Sequence, residues 1–583
     1  MTAFTDERFI STTSWAAFER LVSRMLLSEG YENPRIVGGS GDQGADVLAS
    51  RAEKRYLFQV KKWSQPAGSD VLEKTVRALQ TYRADVPVVV SRYGFTQDAL
   101  RYRDTMRGQG INIQLWDAEH LRKAGLRLAN DPVAQRYPNL FGSPRNYQEQ
   151  AIQRIVQRFE DDPQGSGLVV LATGLGKTFV ATEAFRRLAL LHPGIRILVL
   201  AHTKALVYQL ERQFWPILRK DQASAVIMEG DRPDASSFAS FPVLVSTRGS
   251  MASLLRGQAD LGDFDLVLVD ECHHLEAAEY EEVLEALGVG TANGPFLLGL
   301  TATPWRPGGD GLDKHFSDTV ISMDLIEGLK QGFLSDVDYR MYTDNFNWDA
   351  LAELRGESFS PAKINRTLFI DEWDDGVVDR MSEVWREEGG PTKGIVFCGT
   401  IDHAQRIASR VNALGFASAA AIHSNSPRGN GLQVDQHRLL MDFADGRIQI
   451  LCTVDLLNEG IDVPDVDLVV FQRVTHSRRI FIQQLGRGLR LASGKSRVVV
   501  LDFVSDIKRF AEGVRMRSEL GLASGPRPGA PIRIKTNSRI DFYRHKNIDA
   551  EGAAFLEEWL GDYRELESLG EDVSELRFPP NLK

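Results

Sequence analysis

The sequence predicts an α/β protein in which two successive parallel-sheet domains follow a smaller α/β domain, with a short helical tail at the end. Three observations carry this. At 583 residues the chain is too long for one hydrophobic core, so several domains are expected. Over residues 144–335 the apolar runs Gly167–Ala172, Ile195–Ala201, Val243–Ser246, Leu266–Val269 and Phe296–Leu300 alternate with helical segments. A strand that is apolar throughout, set between helices, belongs to a parallel sheet covered on both faces. The same rhythm returns over residues 336–520, at Gly394–Cys398, Ser418–Ile422, Ile448–Cys452, Leu468–Phe471 and Arg497–Phe503.

Residues 1–125 read differently. An amphipathic helix carries Trp15, Phe18, Leu21, Val22, Met25 and Leu26 on one stripe. Short strands follow at Ala45–Ala49 and Tyr56–Lys61, then a helix near Asp70–Tyr82 and the β-branched run Val86–Val90. Residues 126–143 are punctuated by proline and read as a linker. Residues 521–583 open with Gly and Pro and continue as an acidic tail, expected to be helical around Phe555, Leu556, Trp559, Leu560 and Tyr563.

Composition excludes several classes. No apolar run is long enough to cross a bilayer, so no membrane role is expected. The first residues lack a basic segment followed by an apolar stretch, so no secretion signal is expected. Cys272, Cys398 and Cys452 are far apart and lack CxxC spacing, which points to a reducing, cytoplasmic setting rather than a disulfide framework. The net charge of −10 argues against a uniformly basic nucleic-acid binder, but residues 1–140 hold 20 Lys and Arg against 16 Asp and Glu, so charge is unevenly spread. A local basic groove suffices to hold DNA.

The chemistry starts after the strand Gly167–Leu171, where Ala172-Thr173-Gly174-Leu175-Gly176-Lys177-Thr178 runs into the helical segment Phe179–Leu190. Strand, glycine-rich loop and helix form the context that binds a nucleotide phosphate, because glycines let backbone N–H groups close on the anion at a helix N-terminus. Thr173, Gly174 and Gly176 line the loop, Lys177 reaches the β/γ-phosphates and the Thr178 hydroxyl ligates Mg²⁺. The strict six-residue spacing asks for Gly at 171, where this chain has Leu. Further on, the apolar strand Leu266–Val269 ends in Asp270-Glu271-Cys272-His273-His274. A carboxylate pair there suits one acid on Mg²⁺, Asp270, and one that orients or deprotonates water, Glu271. A zinc site built on Cys272 and the histidines lacks a fourth ligand at usable spacing.

Taken together these motifs resemble superfamily 2 helicases, over about 370 residues. Arg145-Asn146-Tyr147-Gln148 resembles the adenine-reading segment, with Gln148 in the reading position. Ala201-His202-Thr203-Lys204-Ala205-Leu206 and Ser246-Thr247-Arg248 resemble strand-contacting motifs, and Thr301-Ala302-Thr303-Pro304 the motif that links hydrolysis to strand movement. The run Thr453–Pro464, containing Gly460 and Asp462, is similar to motif V; Gln483-Gln484-Leu485-Gly486-Arg487-Gly488-Leu489-Arg490 is similar to motif VI. The resemblance implies two tandem RecA-like domains with ATP held between them. It also implies nucleotide contacts from Gly460 and Asp462 and catalytic roles for Gln483, Arg487 and Arg490. The Cys-His-His ending of the acidic motif resembles restriction-enzyme motor subunits and repair helicases, which implies duplex DNA as the track.

In the N-terminal domain, Gly38–Val47 and Tyr56–Trp63 read as a hairpin that brings Asp46, Gln59 and Lys61 to one edge. An acid and an amide oxygen there can hold Mg²⁺ while a lysine supports the scissile phosphate. Asp42 reads as a turn residue. The pattern resembles the Mrr-like branch of the PD-(D/E)xK nucleases over about 110 residues, with Asp46 as metal-binding Asp, Gln59-Val60-Lys61 as the Q-x-K triplet and Glu19 as the acid on the first helix. The resemblance implies a restriction-endonuclease-like fold, and two readings stay open. One is an ATP-dependent DNA translocase or helicase feeding a Mg²⁺ endonuclease in restriction or anti-phage defence, with defence-system partner proteins. The other is a DNA remodelling or repair motor whose N-terminal domain binds DNA without cutting.

Overall fold

The computed structural model describes residues 13–37, 44–62, 64–127, 143–219, 221–228, 231–275, 277–302, 312, 314–342, 357–359, 374–387, 393–423, 436–454, 466–472, 497–503, 539–543 and 576–578. The chain divides into two compact units: Met1–Val169, Gly176–Thr301 and Gly311–Ile321 form one, and Val170–Leu175, Ala302–Asp310 and Ser322–Lys583 form the other.

The first unit begins with helix α1 (Trp15–Ser28), started by the Ser14 side chain, which accepts from Ala17 N at 3.0 Å. A five-stranded sheet follows in the order β1 (Glu32–Ile36), β2 (Val47–Arg51), β3 (Lys54–Lys61), β4 (Val86–Ser91), β5 (Gln114–Trp116). The hairpin expected around Asp46 and Gln59 is the antiparallel β2–β3 pair, in which Val47 faces Phe58 and Arg51 faces Lys54. β3 then pairs in parallel with β4, after the crossover helix α2 (Ser69–Tyr82). Helices α3 (Gln97–Gly108) and α4 (Ala118–Arg127) complete the domain. Val71, Leu72, Val89, Ala99 and Ile113 form a core between α2, β4 and α3.

A seven-stranded sheet has the order β12, β6, β11, β10, β7, β9, β8. Its strands are β6 (Ser166–Leu171), β7 (Ile197–Ala201), β8 (Ser224–Ile227), β9 (Val243–Thr247), β10 (Leu266–Asp270), β11 (Phe296–Thr301) and β12 (Thr319–Met323). β10 pairs in parallel with both β7 and β11, so the strand ending in Asp270 is central and every one of its residues is buried. Around it run α5 (Asn146–Asp161), α6 (Lys177–Leu191), α7 (Lys204–Phe214), α8 (Arg248–Arg256) and α9 (Ala278–Ala286). The five strands expected here are present; β8 and β12 are additions, edge strands of four and five residues, β8 too short and β12 too mixed with polar residues to stand out in sequence.

The second unit holds a parallel sheet in the order β16, β17, β15, β18, β19, β13, β20. β15 (Gly394–Phe397), β16 (Ala419–His423), β17 (Ile450–Val454), β18 (Leu468–Phe471) and β19 (Arg497–Phe503) answer the five expected runs. Helices α10 (Leu325–Lys330), α11 (Asp374–Glu387), α12 (Ile401–Leu414) and α13 (Gln436–Ala444) accompany them. Four strands change the expected picture. β13 (Asp336–Tyr342) pairs with β19, and β20 (Arg539–Tyr543), from the segment expected to be a helical tail, pairs with β13. β14 (Glu357–Phe359) pairs with β21 (Leu576–Phe578), also from that tail. Alternating Arg539-Ile540-Asp541-Phe542-Tyr543 suits an edge strand, and five residues of period two are a faint signal in a long acidic segment. The expected helix around Phe555–Tyr563 lies outside the described residues.

Candidate active sites

Residues of the phosphate loop take the backbone that its glycines permit. Gly174 has φ +94° and Gly176 φ +82°, and Gly176 stands immediately before α6. No acidic side chain lies in the first turn of α6, so the partial positive charge of that helix end is left for an anion. A Cβ on Gly176 would come within 2.7 Å of Gln148 Nε2. Gln148 is itself tethered, its Oε1 accepting from Arg145 N at 2.9 Å, so its amide nitrogen is aimed at the loop.

Lys177 Nζ stands 3.5 Å from Glu271 Oε1, so the lysine after β6 and the acid after β10 meet at one place. Glu271 holds a left-handed backbone, φ +50° and ψ 52°, just before a 3₁₀ turn at Cys272–His274. For a residue with a long side chain this costs about 1–3 kcal/mol, and such strain clusters at functional sites. Burial pushes the Asp270 carboxyl up to about 6, and the charge of Glu271 adds to the rise. A divalent cation fits a buried acid in that condition, because neighbouring positive charge restores its ionised form. Sequence reasoning missed what surrounds the pair. His273 Nδ1 lies 3.3 Å from Glu271 Oε2 and 3.1 Å from Thr301 Oγ1, which ties the acidic motif to the end of β11. The His202 ring packs on that of His274 at 4.7 Å between centroids, with His273 a further 4.3 Å from His274. The doubled histidine is visible in the sequence, but only the adjacency of β7, β10 and β11 shows its neighbours.

The second cluster lies on the first sheet. Asp46 is 1% exposed; its Oδ2 accepts from Val60 N at 2.6 Å and lies 3.8 Å from Lys61 Nζ. The Gln59 amide is satisfied on both sides when its nitrogen donates to Thr75 Oγ1 (2.5 Å) and Val71 O (2.9 Å). Its oxygen then faces Lys61 Nζ at 3.2 Å. Asp46, Gln59 and Lys61 therefore converge, and α2 fixes the amide through Thr75. Glu19 joins them through Trp15: the indole N–H donates to Glu19 Oε1, and Lys61 Nζ sits 4.6 Å above the ring. Periodicity alone places Trp15 in an apolar stripe, yet it is 38% exposed. Its i, i+4 spacing to Glu19 is the signal that could have found it. One carboxylate and one amide oxygen at this edge fit a hard cation such as Mg²⁺.

Thr303 and Asp42, Gly460 and Asp462 expected at the nucleotide, and Gln483, Arg487 and Arg490 of the run that resembles motif VI lie outside the described residues. No described helix is long and apolar enough to cross a membrane.

Comparison with known proteins agrees with this layout. Residues 10–124 match the family model of a restriction endonuclease, residues 141–306 that of the type III restriction enzyme res subunit, and residues 377–492 that of the helicase conserved C-terminal domain. The type I restriction enzyme EcoAI endonuclease subunit of Escherichia coli is 27% identical over 472 residues, 73% of this chain and 56% of that protein. The putative mitochondrial ATP-dependent helicase irc3 of Schizosaccharomyces pombe is 24% identical over 374 residues, covering 63% of this chain and 58% of that one. The chain thus spans little more than half the length of these curated relatives. Among solved structures, the ATP-dependent type ISP restriction-modification enzyme LlaBIII bound to DNA superposes with a TM-score of 0.51 at 16% identity. That match covers 96% of this chain and 42% of that one, and supports the fold.

Proposed function

We propose that this chain, which joins a restriction endonuclease domain to a superfamily 2 helicase motor, is an ATP-driven DNA translocase or helicase. It delivers duplex DNA to its own Mg²⁺-dependent endonuclease, in restriction or anti-phage defence. One observation carries this reading: a single chain brings Lys177 to Glu271 after one sheet and Asp46, Gln59 and Lys61 together on another.

In the motor, Thr173, Gly174 and Gly176 wrap the phosphates, Lys177 neutralises them and Gln148 reads the base. Thr178 and Asp270 would hold Mg²⁺. Glu271 orients the attacking water and takes its proton, work worth about 10²–10⁴ in rate. By their resemblance to the helicase motifs, Gly460 and Asp462 would serve as nucleotide contacts, and Gln483, Arg487 and Arg490 as the groups that stabilise charge developing on the transferring phosphoryl group. In the endonuclease, Asp46 and Gln59 would hold Mg²⁺, Glu19 adds a second acid and Lys61 supports the scissile phosphate. A bound divalent cation supplies charge neutralisation and an activated water at either site. The proposed domains are 1–125, 144–335 and 336–520, with residues 521–583 adding at least one strand to the last. The Escherichia coli relative is named as a subunit, so partner proteins belong to the proposal.

The test compares wild type, Lys61→Ala and Lys177→Ala on modified and unmodified DNA with Mg²⁺ and ATP. Wild type should cut. Lys61→Ala should lose cleavage and keep DNA-stimulated ATPase, and Lys177→Ala should lose both. If wild type cuts no DNA form while its ATPase is DNA-stimulated, the domain binds DNA without cutting and the remodelling reading replaces this one.

A further inference from the structure

Helix α1 is buried all round: each residue from Phe18 to Leu27 is buried, arginines included. A helix packed on its own sheet needs only one apolar stripe covered, so something covers the polar side as well. That cover is the first motor domain. The residues facing it, Arg20, Arg24 and Leu27, fall at i, i+4 and i+7, on one side of the helix.

Arg20 Nε lies 2.7 Å from Glu211 Oε2 on α7, and its Nη1 donates to Asp231 Oδ2 in the turn after β8. Its guanidinium also stands 5.4 Å from the Tyr208 ring centroid. Ser14, which caps α1, donates to Asp231 Oδ1 at 2.6 Å, so the same acid touches both the cap and the first turns of the helix. Tyr208 Oη donates to Asp231 Oδ2 at 3.3 Å, and Ser224 Oγ to Glu211 Oε1 at 2.7 Å. One turn on, Arg24 donates to three backbone oxygens that follow α7, those of Leu218, Arg219 and Gln222, at 2.8–3.2 Å. Leu27 packs on Trp215. Arg20, Glu211 and Asp231 are each at most 5% exposed, so one buried cation answers two buried carboxylates. Burial works against the charge on Arg20, yet the two acids outweigh it and hold the guanidinium ionised.

The two ends of this network matter. The segment that resembles a strand-contacting motif, Ala201–Leu206, runs into the first turn of α7, and α1 carries Glu19 on its next face. We propose that Arg20 is a positioning residue, an ionic lock that fixes the endonuclease helix to α7, the helix that continues the candidate strand-contacting segment of the first motor domain, and thereby makes cleavage depend on the motor's hold on DNA. This rests on the function proposed above and adds to it a residue that touches neither Lys177 nor Lys61.

The experiment uses the full chain and three readouts: DNA-stimulated ATPase, ATP-dependent DNA cleavage, and hydrogen exchange of residues 15–28 and 204–214. Arg20→Ala leaves two buried acids without their cation and can unfold the domain. The triple variant R20M/E211Q/D231N removes all three charges at nearly constant volume, a replacement that buried charge triads tolerate, and circular dichroism checks its fold. In both variants cleavage should fall roughly a hundredfold, the scale of a displacement of about 1 Å at a reacting centre. ATPase should stay within about twofold, as for sites with no shared partners. Exchange should rise in both helices, and Arg20→Lys should recover part of the cleavage. Unchanged cleavage in the folded triple variant, or ATPase falling in step with cleavage, overturns the lock. If wild type cuts no DNA, the endonuclease reading has failed separately. Exchange then decides the lock alone: a rise in both helices supports it, and no change overturns it.

Discussion

At the residue scale, the proposed nucleotide site rests on two backbone conformations and one contact. Gly176 has φ +82° and faces Gln148 Nε2, so Gly176→Ala meets an unfavourable backbone and its methyl displaces the end of the Gln148 side chain. ATPase should fall at least about a hundredfold, on the scale that small displacements at a reacting centre cost, while circular dichroism stays that of wild type. Glu271→Gln keeps the shape and removes the charge that pairs with Lys177 and helps raise Asp270. Hydrolysis should drop about 10²–10⁴-fold, with nucleotide affinity retained in an equilibrium binding assay. A parallel loss of affinity would assign Glu271 to binding rather than to chemistry. The lysine and acids were legible in the sequence because phosphate chemistry demands those types in a strand–loop–helix frame. The positive φ of Glu271 was not, because nothing in Asp-Glu-Cys-His-His specifies a left-handed backbone.

Elements are held by local devices whose worth can be tested apart from function. Helix α12 starts at Thr400, whose Oγ1 accepts from His403 N at 3.2 Å, and ends at Gly415, whose N donates to Val411 O at 3.1 Å. Gly415 has φ +69° with open space where a Cβ would stand, and Gly399, just before the helix, also has open space. Space alone therefore predicts that alanine is harmless at both. Backbone conformation predicts a difference: Gly415→Ala should destabilise by about 1 kcal/mol, and Gly399→Ala should not. Chemical denaturation of the two variants decides between these views. The central strands were readable for a related reason. Strands covered on both faces must be apolar throughout, whereas the edge strands β12 and β20 mix polar with apolar residues and the edge strand β8 is only four residues long.

Over the whole molecule, the proposed track is DNA, and binding to its phosphates should release counterions. Stimulation of ATPase by duplex DNA should exceed that by single-stranded RNA and weaken steeply as salt rises, measured as the DNA concentration for half-maximal ATPase between low and physiological salt. Stronger stimulation by RNA than by any DNA would remove the DNA reading. The uneven charge of the chain, basic in its first 140 residues, places part of the expected contact on the endonuclease domain.

What the sequence determined by itself was the α/β class and the run of helicase motifs; it also put forward the glycine-rich loop and the Asp46, Gln59 and Lys61 set as candidates. Each is written in residue type and local spacing, which chemistry constrains directly. Tertiary structure alone decided that β20 extends the second motor sheet, that Trp15 bridges Glu19 and Lys61, and that the polar side of α1 is buried. Arg20 and Arg24 look in sequence like the solvated side of an amphipathic helix. A side chain carries no local sign of a carboxylate or a backbone carbonyl some 200 residues away, so only the packed chain reveals that these two join the endonuclease domain to the motor domain.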